Sequence, residues 1–303
     1  MRSGVALRTL QATRIASSSG RAVDEDLVVE EPLDIRVAGD TLAVTMRTPG
    51  HDRELVLGFL WAEGVIASLD DVAAIAHCGR PGDESFGNTI EVTAAPGARL
   101  RLPEEPSARR GTLTTSACGV CGRRSIDDLV ARCARVDRAG SMSHGAIVRA
   151  VEGLRARQPV FERTGGCHAA SLVTFDGRHV ATFEDVGRHN AVDKVIGASL
   201  LAGALPASNR ALVVSGRTSF EIVQKAVVAG IPIVIGISAP SSLAVDVARR
   251  AGATLIGFAR GKDFVVYAGD PSGGPSGRWV AMNDEGSSAS RECSIYRKTS
   301  AKR

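Results

Sequence analysis

Aromatic residues and long apolar runs are both scarce in this sequence. Only 4% of the 303 residues are Phe, Trp or Tyr, so there is little surface on which nucleic-acid bases could stack. The longest apolar run, IPIVIGI, has the length of a strand and falls far short of the roughly 18 residues that cross a bilayer. The net charge is +4 and the arginines are scattered. The sequence therefore argues against both a nucleic-acid partner and a membrane span.

Cysteines are also few, and they are not arranged as a disulfide framework. The chain has six and shows no secretory signal, which predicts reduced thiols and a cytoplasmic location. Only Cys118 and Cys121 are spaced as a C-x-x-C pair. The remaining four are Cys78, Cys133, Cys167 and Cys293. The pair is therefore the first candidate for thiol chemistry.

What is present is an ordered centre between two polar ends. The sequence predicts a disordered leader at 1–26, an N-terminal α+β region at 27–110, a mobile C-x-x-C loop with helices at 111–164, an α/β core at 165–268 and a disordered tail at 269–303. Both ends are rich in Ser and Arg and too polar to offset the entropy of ordering. The centre can bury a sizeable core, since 44% of the chain is hydrophobic.

The N-terminal region carries hairpin and helix signals. Two alternating runs flank Gly39-Asp40, a turn pair that predicts a β-hairpin over 27–46. The spacing of apolar residues then predicts a helix that is capped by Thr48 or Asp52 and ends near Gly64. A second strand pair is expected around NTIEVTAAP and ARLRL.

The last third of the core has the clearest pattern. Three apolar runs alternate with two helical segments between 211 and 260, which predicts a βαβαβ unit with a largely parallel sheet. The carboxyl ends of parallel strands share one edge, where open α/β sheets bind ligands. The turns at that edge are Ser215-Gly216-Arg217, Ser238-Ala239-Pro240 and Phe258 to Lys262. Unless these are ordinary surface turns, their arginines, their lysine and the adjoining helix N-termini predict a phosphate-bearing ligand.

The stretch EDVGRHNAVDK, at 184–194, gathers acids, bases and an imidazole around one glycine. It is as typical of a helix start, capped by Asn190, as of a functional segment. His189 is its candidate site residue, because an imidazole can orient a phosphate or exchange a proton near neutral pH. Upstream, Cys167 and His168 follow two glycines, a pattern that also fits a tight turn with a small buried thiol.

The C-x-x-C pair is compatible with three chemistries. A structural zinc site takes four ligands, and with one such pair the metal would have to recruit residues such as Cys78 or His168. A thioredoxin-type disulfide needs the pair at a helix N-terminus, whereas a glycine and two arginines separate Cys121 from the capping Ser125. Sulfur carriage needs an accessible thiolate nucleophile, which a glycine-containing cationic loop favours.

Six segments, in order, give the sequence its resemblance to a known family. They are TPGHDRELVLGFLWAEGVI, CGVCG, TGGCHAA, FEDVGRHNAVDKVIG, SGRTSFEIVQKAVVAGIPIV and GFARGKDFVVY, spread over roughly residues 30–268. With them the chain resembles the FdhD/NarQ family, the formate dehydrogenase accessory sulfurtransferases. The resemblance implies a cytidine-deaminase-like α/β sandwich with a smaller N-terminal hairpin and helix region, and a homodimer.

The resemblance also implies a function. A cysteine desulfurase would supply sulfur as a persulfide, carried by Cys118 with Cys121 assisting. The molybdenum bis(guanine dinucleotide) cofactor, bound as a substrate, would receive this sulfur before insertion into the catalytic subunit of formate dehydrogenase. The family's cofactor-binding segment matches Phe258, Ala259, Arg260, Gly261, Lys262 and Asp263. Further cofactor-binding candidates are Ser215, Gly216, Arg217 and His189.

Two other functions stay open. One is a zinc-stabilised module that only holds the cofactor, and the other is a thiol oxidoreductase with a reversible Cys118–Cys121 disulfide. The sulfur-carrier reading predicts no resident metal.

Overall fold

The computed structural model describes most of the chain. It gives residues 6–17, 19–79, 86–102, 135–138 and 140–273 with their side chains, and residues 110–114 as backbone. The C-x-x-C pair, and with it the predicted mobile loop around Cys118 and Cys121, lies outside the described residues. The tail beyond 273 lies outside them as well.

The described residues form thirteen strands and six α-helices. The strands are β1 (Leu7–Ala16), β2 (Ser19–Val28), β3 (Glu31–Val37), β4 (Asp40–Arg47), β5 (Val72–His77), β6 (Thr89–Ala94), β7 (Arg110–Thr114), β8 (His168–Thr174), β9 (His179–Asp185), β10 (Arg210–Val214), β11 (Ile233–Gly236), β12 (Thr254–Arg260) and β13 (Asp263–Ala268). The helices are α1 (Asp52–Ala62), α2 (His144–Arg155), α3 (Pro159–Thr164), α4 (Arg188–Leu201), α5 (Phe220–Val228) and α6 (Ser242–Ala251). None of these helices is both long and apolar enough to span a membrane.

The larger unit is built on a six-stranded sheet of order β13-β12-β11-β10-β8-β9. Strands β10, β11 and β12 run parallel, which confirms the predicted βαβαβ unit. The other three strands pair antiparallel and extend the sheet on both sides. The result is a mixed sheet rather than a wholly parallel one.

Both faces of this sheet are covered, which explains why its strands read as continuous apolar runs. Leu212 and Val214 pack with α4, α5 and α6, whereas Ala211 and Val213 point to α2 on the other face. Successive side chains of a strand alternate between faces, so a strand covered on both sides needs an apolar residue at every position. The unit is therefore a three-layer α/β/α sandwich.

The smaller unit is a five-stranded sheet of order β5-β6-β3-β4-β7, with α1 packed on one face. The predicted hairpin is confirmed as β3 and β4, whose turn has positive φ at Ala38 (54°) and Gly39 (84°). The predicted strand pair around NTIEVTAAP and ARLRL is wrong in its second half. Strand β6 pairs instead with β5 and β3, while residues 98–102 form no strand.

The predicted disordered leader differs from the structure. Residues 7–28 form a two-stranded antiparallel ribbon, β1 and β2, in full register from Leu7↔Val28 to Ala16↔Ser19. Thr9 donates to Asp26 across the ribbon, and Arg14 forms an ion pair with Glu25. Polar composition alone suggested disorder, but these cross-strand pairs are contacts that only a hairpin brings together.

The first residues of the predicted tail are also ordered. Met142 donates a backbone hydrogen bond to Pro271 at 2.8 Å, and the side chain of Arg138 donates to the Asp270 carbonyl. The described chain therefore continues past 268 as a turn held to the segment before α2.

Two glycines allow a helix of each unit to pack closely against a helix of the other. An added Cβ at Gly58 of α1 would lie 1.9 Å from the carbonyl oxygen of Asp193 in α4. One at Gly197 of α4 would lie 1.9 Å from the carbonyl oxygen of Glu54 in α1. Only glycine allows two helix backbones to approach this closely, so the crossing of α1 and α4 fixes the N-terminal sheet against the α/β sandwich.

Candidate functional site

Three segments meet where the parallel strands end, and we call them together the carboxyl edge: Ser215–Ser219 after β10, Ile237–Ser241 after β11, and Phe258–Asp263, which runs from the last residues of β12 through the turn into β13. Thr218 donates its backbone N–H to Ala239 at 3.1 Å and accepts one from Ser241 at 3.0 Å. The backbone N–H of Phe258 donates to Ser238 at 3.1 Å. These bonds tie each turn to the next, so the predicted juxtaposition is confirmed as geometry. That these turns bind a ligand stays a prediction.

The turn from Phe258 to Asp263 has a fixed backbone and exposed side chains. Phe258 has a left-handed backbone (φ 52°) and is 46% exposed, while the neighbouring Ala259 is buried. Arg260 Nε donates to the Ile237 carbonyl at 3.2 Å, and the Lys262 carbonyl is 2.7 Å from His144 Nε2. The side chains of Arg260 and Lys262 are exposed. The turn thus presents one aromatic ring and two cations from a rigid support.

The turn after β10 carries a second group of basic side chains. The Ser215 hydroxyl accepts the backbone N–H of Ala169 at 2.8 Å, which fixes the turn on β8. Above Gly216 an added Cβ would lie 3.1 Å from His168 Nδ1 and 3.8 Å from Arg188 Cδ, so both side chains cross this glycine. Burial lowers the pKa of His168, and the charges of Arg188 and Arg217 lower it further.

Sequence reasoning missed two members of this group. The local pattern around His168 fits a tight turn and that around Arg188 fits a helix start, yet both side chains lie beside Gly216. The available signal was the topology. β8 pairs antiparallel with β10, so the first residue of β8 and the end of β10 lie at the same edge of the sheet. The three parallel strands alone do not predict the position of His168, because β8 joins the sheet antiparallel to β10.

His189 is buried and lies between two side chains of the adjoining turn. Its Nε2 is 3.0 Å from Ser219 Oγ, and its Nδ1 is 3.5 Å from a carboxylate oxygen of Glu221. Burial lowers the pKa of His189 to about 4, although Glu221 opposes the shift. The imidazole is therefore neutral at neutral pH, which corrects the expectation that it exchanges a proton there. The imidazole can still orient Ser219, the residue immediately before α5. The Ser219 hydroxyl makes no capping hydrogen bond to that helix.

The rest of EDVGRHNAVDK is structural. Lys194 forms a buried ion pair with Asp185 at 2.7 Å and donates to the Thr48 carbonyl at 3.1 Å. Asp185 also accepts the backbone N–H groups of Thr48 and Gly187. Asn190 donates to the Met46 carbonyl at 2.7 Å. Asp185, Asn190 and Lys194 thus bind the end of β4 and the residue after it, whereas Arg188 and His189 face the carboxyl edge.

Cys167 is a buried thiol, as one reading of its motif predicted. Its Sγ lies 3.3 Å from Glu184 Oε1, and burial together with the charge of Glu184 raises its pKa well above the usual range. The same carboxylate accepts the backbone N–H groups of Val160 and Phe161 at the start of α3. Cys167 is therefore a protonated hydrogen-bond donor and not a nucleophile.

A separate cavity of about 400 Å³ lies in the smaller unit, against the start of α1. Arg47 and Asp52 form a buried bidentate ion pair in its wall. Arg47 Nε donates to Asp52 Oδ1 at 2.9 Å, and Arg47 Nη2 donates to Asp52 Oδ2 at 3.1 Å. His77 Nε2 is 3.4 Å from Asp52. Across the described part of the chain, no group of three or more His, Cys, Asp and Glu side chains is placed to hold a metal ion.

The fold and this edge define a mixed α/β protein with a rigid cationic rim at the carboxyl ends of its three parallel strands. Known proteins match the chain over most of its length. The model of the FdhD/NarQ family matches residues 28–272. Sulfur carrier protein FdhD of Anaeromyxobacter dehalogenans strain 2CP-C is 54% identical over 263 residues, 85% of this chain and 91% of that protein. Its counterpart in Nocardia farcinica is 50% identical over 251 residues, 81% of this chain and 87% of that protein. The chain therefore belongs to the FdhD/NarQ family.

A solved structure shares the fold. The crystal structure of a protein from Desulfotalea psychrophila, described as a formate dehydrogenase accessory protein, matches with a TM-score of 0.68 and 25% sequence identity. The match covers 87% of this chain and 97% of that one. It supports the mixed α/β architecture, whereas the finer assignment to a cytidine-deaminase-like sandwich stays a prediction.

Proposed function

We propose that this protein is a cytoplasmic sulfur carrier that takes persulfide sulfur from a cysteine desulfurase and transfers it to the molybdenum bis(guanine dinucleotide) cofactor of formate dehydrogenase. The observation that carries the proposal is the identity of about half of all aligned residues with proteins named sulfur carriers, over 91% of the length of one of them. The protein would act before the cofactor enters the catalytic subunit of formate dehydrogenase.

The proposed sulfur acceptor is Cys118, with Cys121 assisting. The Cys118 thiolate attacks the outer sulfur of the desulfurase persulfide, the sulfur–sulfur bond of the donor breaks, and the donor cysteine leaves as a thiolate. Charge and electron count are unchanged across this exchange. Arg123 and Arg124 follow the pair in sequence and favour the anionic forms on both sides of the reaction.

The proposed cofactor site is the carboxyl edge. A guanine dinucleotide carries a diphosphate and an aromatic base, so it needs cations and a flat apolar surface. Arg217, Arg260 and Lys262 supply exposed positive charge, and the first turns of α5 and α6 open at the same edge. Phe258 is exposed there and can stack on a base. Ser215, Gly216, Ala259, Gly261 and Asp263 shape the turns that hold these groups.

Two variants test the proposal because they separate its two halves. Cys118→Ala should abolish formate dehydrogenase activity in cells that lack the wild-type protein, while the purified variant still binds guanosine diphosphate as a probe of the cofactor site. Arg260→Ala/Lys262→Ala should accept sulfur normally but bind the probe about tenfold or more weakly, since charge-assisted hydrogen bonds to phosphate are lost.

Cys78→Ala is the matched control, because Cys78 is a free thiol of the N-terminal sheet unit, far in sequence from the pair. It should leave both sulfur acceptance and probe binding unchanged. Full activity of the Cys118→Ala variant in cells would contradict the relay. Stoichiometric zinc, released when Cys118 and Cys121 are blocked, would instead favour a zinc-stabilised binding module.

A further inference from the structure

The hydroxyl of Ser219 has a partner that the proposed sulfur transfer does not use. Three of the α-helices in the described ranges follow a serine in extended conformation, namely Ser143 before α2, Ser219 before α5 and Ser241 before α6. The hydroxyls of Ser143 and Ser241 cap their helices by accepting a backbone N–H of the first turn. The hydroxyl of Ser219 makes no such bond and lies 3.0 Å from His189 Nε2.

A carboxylate on the other side of the imidazole completes a serine–histidine–acid arrangement. Glu221 Oε2 lies 3.5 Å from His189 Nδ1, and both side chains are largely buried. The second oxygen of Glu221 lies 3.8 Å from Lys225 Nζ, and Lys225 binds Asp193 at 2.8 Å. These contacts fix the carboxylate from behind, so it faces the imidazole in a set position.

The carboxylate decides which imidazole nitrogen carries the hydrogen. An ionised carboxylate only accepts hydrogen bonds, so Nδ1 of the neutral ring carries the hydrogen that points to Glu221. Nε2 then presents a lone pair and accepts the hydroxyl hydrogen of Ser219. Because burial lowers the pKa of His189 to about 4, the ring stays in this base form at neutral pH. The same ground state is found in serine–histidine–acid triads.

Ser219 also lies where a substrate can reach it. It is half-buried at the carboxyl edge, whereas His189 is buried. The first N–H groups of α5 have no acceptor within the helix and form its positive end, which favours negative charge beside Ser219. Arg217, Arg260 and Lys262 are exposed at the same edge. These surroundings stabilise an oxyanion and attract a negatively charged substrate.

A second serine–histidine contact shows what this one adds. Ser171 Oγ lies 2.6 Å from His179 Nδ1, but His179 Nε2 faces the Ala150 carbonyl oxygen at 3.0 Å and not a carboxylate. Ser171 is fully buried, and its hydroxyl donates to the Ala181 carbonyl at 2.9 Å. An orienting acid and an accessible hydroxyl therefore separate Ser219 from a structural serine.

We propose that Ser219, His189 and Glu221 form a triad that hydrolyses carboxylic esters whose acyl part carries a negative charge. Ser219 Oγ attacks the ester carbonyl carbon while its proton passes to His189 Nε2. The carbon–oxygen bond to the alcohol breaks, and the alcohol leaves with that proton. Water then attacks the acyl-serine, gives a proton to Nε2, and the acid leaves as this proton returns to Ser219 Oγ. The imidazole does not titrate at neutral pH and takes a proton only from the attacking hydroxyl or water, while Glu221 positions it and balances the new charge.

Diisopropyl fluorophosphate tests the nucleophile in the full-length protein. A reactive serine attacks the phosphorus and fluoride leaves, so mass spectrometry should find one diisopropylphosphoryl group on the peptide that contains Ser219. Ser171 should stay unlabelled in the same digest, as an internal control. Ser219→Ala should abolish the label, and His189→Gln should slow labelling about 100-fold or more, since the base is lost.

Glu221→Gln tests the positioning role of the acid. The amide can hold the imidazole in the other tautomer, in which Nε2 carries a hydrogen and no longer accepts one from Ser219. Labelling should therefore slow about tenfold or more. Asp246→Asn is the control, because it removes an exposed carboxylate of the neighbouring helix α6, and it should be labelled like the wild type.

The pH profile of labelling separates this imidazole from an ordinary one. The charged and titratable groups that act on His189 are Glu221 and Lys225 of α5, Arg188 of its own helix and His168 of β8. The labelling rate of the wild type should stay level from about pH 8 to about pH 5.5, because the ring remains a free base. An imidazole with the ordinary pKa of 6.5 would lose half of its base form at that pH.

Hydrolysis of p-nitrophenyl succinate, an ester with a free carboxylate, measures the activity itself. The wild type should exceed Ser219→Ala about tenfold or more, and its kcat/KM should be higher for this ester than for p-nitrophenyl acetate. An unlabelled Ser219 would overturn the proposal, as would equal labelling of the wild type, His189→Gln and Glu221→Gln. A preference for the acetate would overturn the assigned substrate class. Sulfur acceptance by Cys118 does not involve Ser219, so these failures are distinct from a failure of sulfur transfer.

Discussion

Burial decides which ionisable side chains near the carboxyl edge can carry a charge. His189 and Cys167 are both 7% exposed or less. Burial lowers the pKa of the His189 imidazole and raises the pKa of the Cys167 thiol, so both side chains are neutral at neutral pH. Arg217, Arg260 and Lys262 are exposed basic side chains. The positive field of the edge therefore comes from these groups together with Arg188, and not from the imidazoles.

The buried imidazole predicts how stability depends on pH. The pKa of His189 is lowered from 6.5 to about 4 in the folded protein. Between these values the unfolded chain binds a proton that the folded chain does not, so this residue makes the free energy of unfolding fall as pH falls through that window. At one pKa unit per roughly 1.4 kcal/mol, its contribution amounts to about 3 kcal/mol.

His189→Gln should remove this contribution while keeping a hydrogen-bonding group near Ser219. Urea unfolding at about pH 7 and about pH 4.5 measures it. The wild type should lose more stability between these two conditions than the variant does. Equal losses in the two proteins would show that His189 is not held neutral by folding.

At the scale of elements, the crossing of α1 and α4 depends on two glycines. Gly58→Ala favours the helix by about 1 kcal/mol in intrinsic propensity. The new Cβ would nevertheless lie 1.9 Å from the Asp193 carbonyl oxygen, so the helices must separate. We expect a net loss of about 1–3 kcal/mol in the free energy of unfolding, measured by urea denaturation.

Ser199→Ala on α4 is the matched control for that change. Its hydroxyl donates only to the Val195 carbonyl within the same helix, so its loss should change stability by less than about 1 kcal/mol. If Gly58→Ala were as stable as the wild type, the close approach of the two helices would not hold in solution.

Elements were predictable where local pattern and burial agree. The strands β10, β11 and β12 are apolar at nearly every position because both faces are covered, and this pattern is visible in sequence. The pairing of β6 with β5 and β3 was not predictable from the sequence, because it depends on packing between segments that are distant in the chain. The β1–β2 ribbon was missed for a related reason, since its stabilising pairs are polar and lie up to 17 residues apart.

The position of the candidate site was predictable from the sequence, whereas the surroundings of its side chains were not. The three turns of the carboxyl edge follow from the parallel topology, which sequence reasoning had right. His168 joins them through the antiparallel strand β8, and the protonation state of His189 depends on the packing of α4 against α5. Neither follows from local sequence. The roles of Cys118 and Cys121 come from the family resemblance and stay predictions.

At the scale of the whole molecule, three buried ion pairs bind the two units together or support their junction. Lys194 with Asp185 holds the end of β4, and Lys225 with Asp193 joins α5 to α4. Arg47 with Asp52 joins β4 to α1. These pairs hold the carboxyl edge in one fixed geometry, which the proposed transfer of sulfur from Cys118 requires.

The central claim is that Cys118 carries sulfur. Its most direct test is mass spectrometry of the full-length protein after incubation with a cysteine desulfurase and L-cysteine. We predict one added sulfur atom on the peptide that contains Cys118, lost on reduction and absent from the Cys118→Ala variant, while Cys167 stays unmodified because its thiol is buried and protonated. An unmodified Cys118, or equal sulfur addition to the Cys118→Ala variant, would contradict the account.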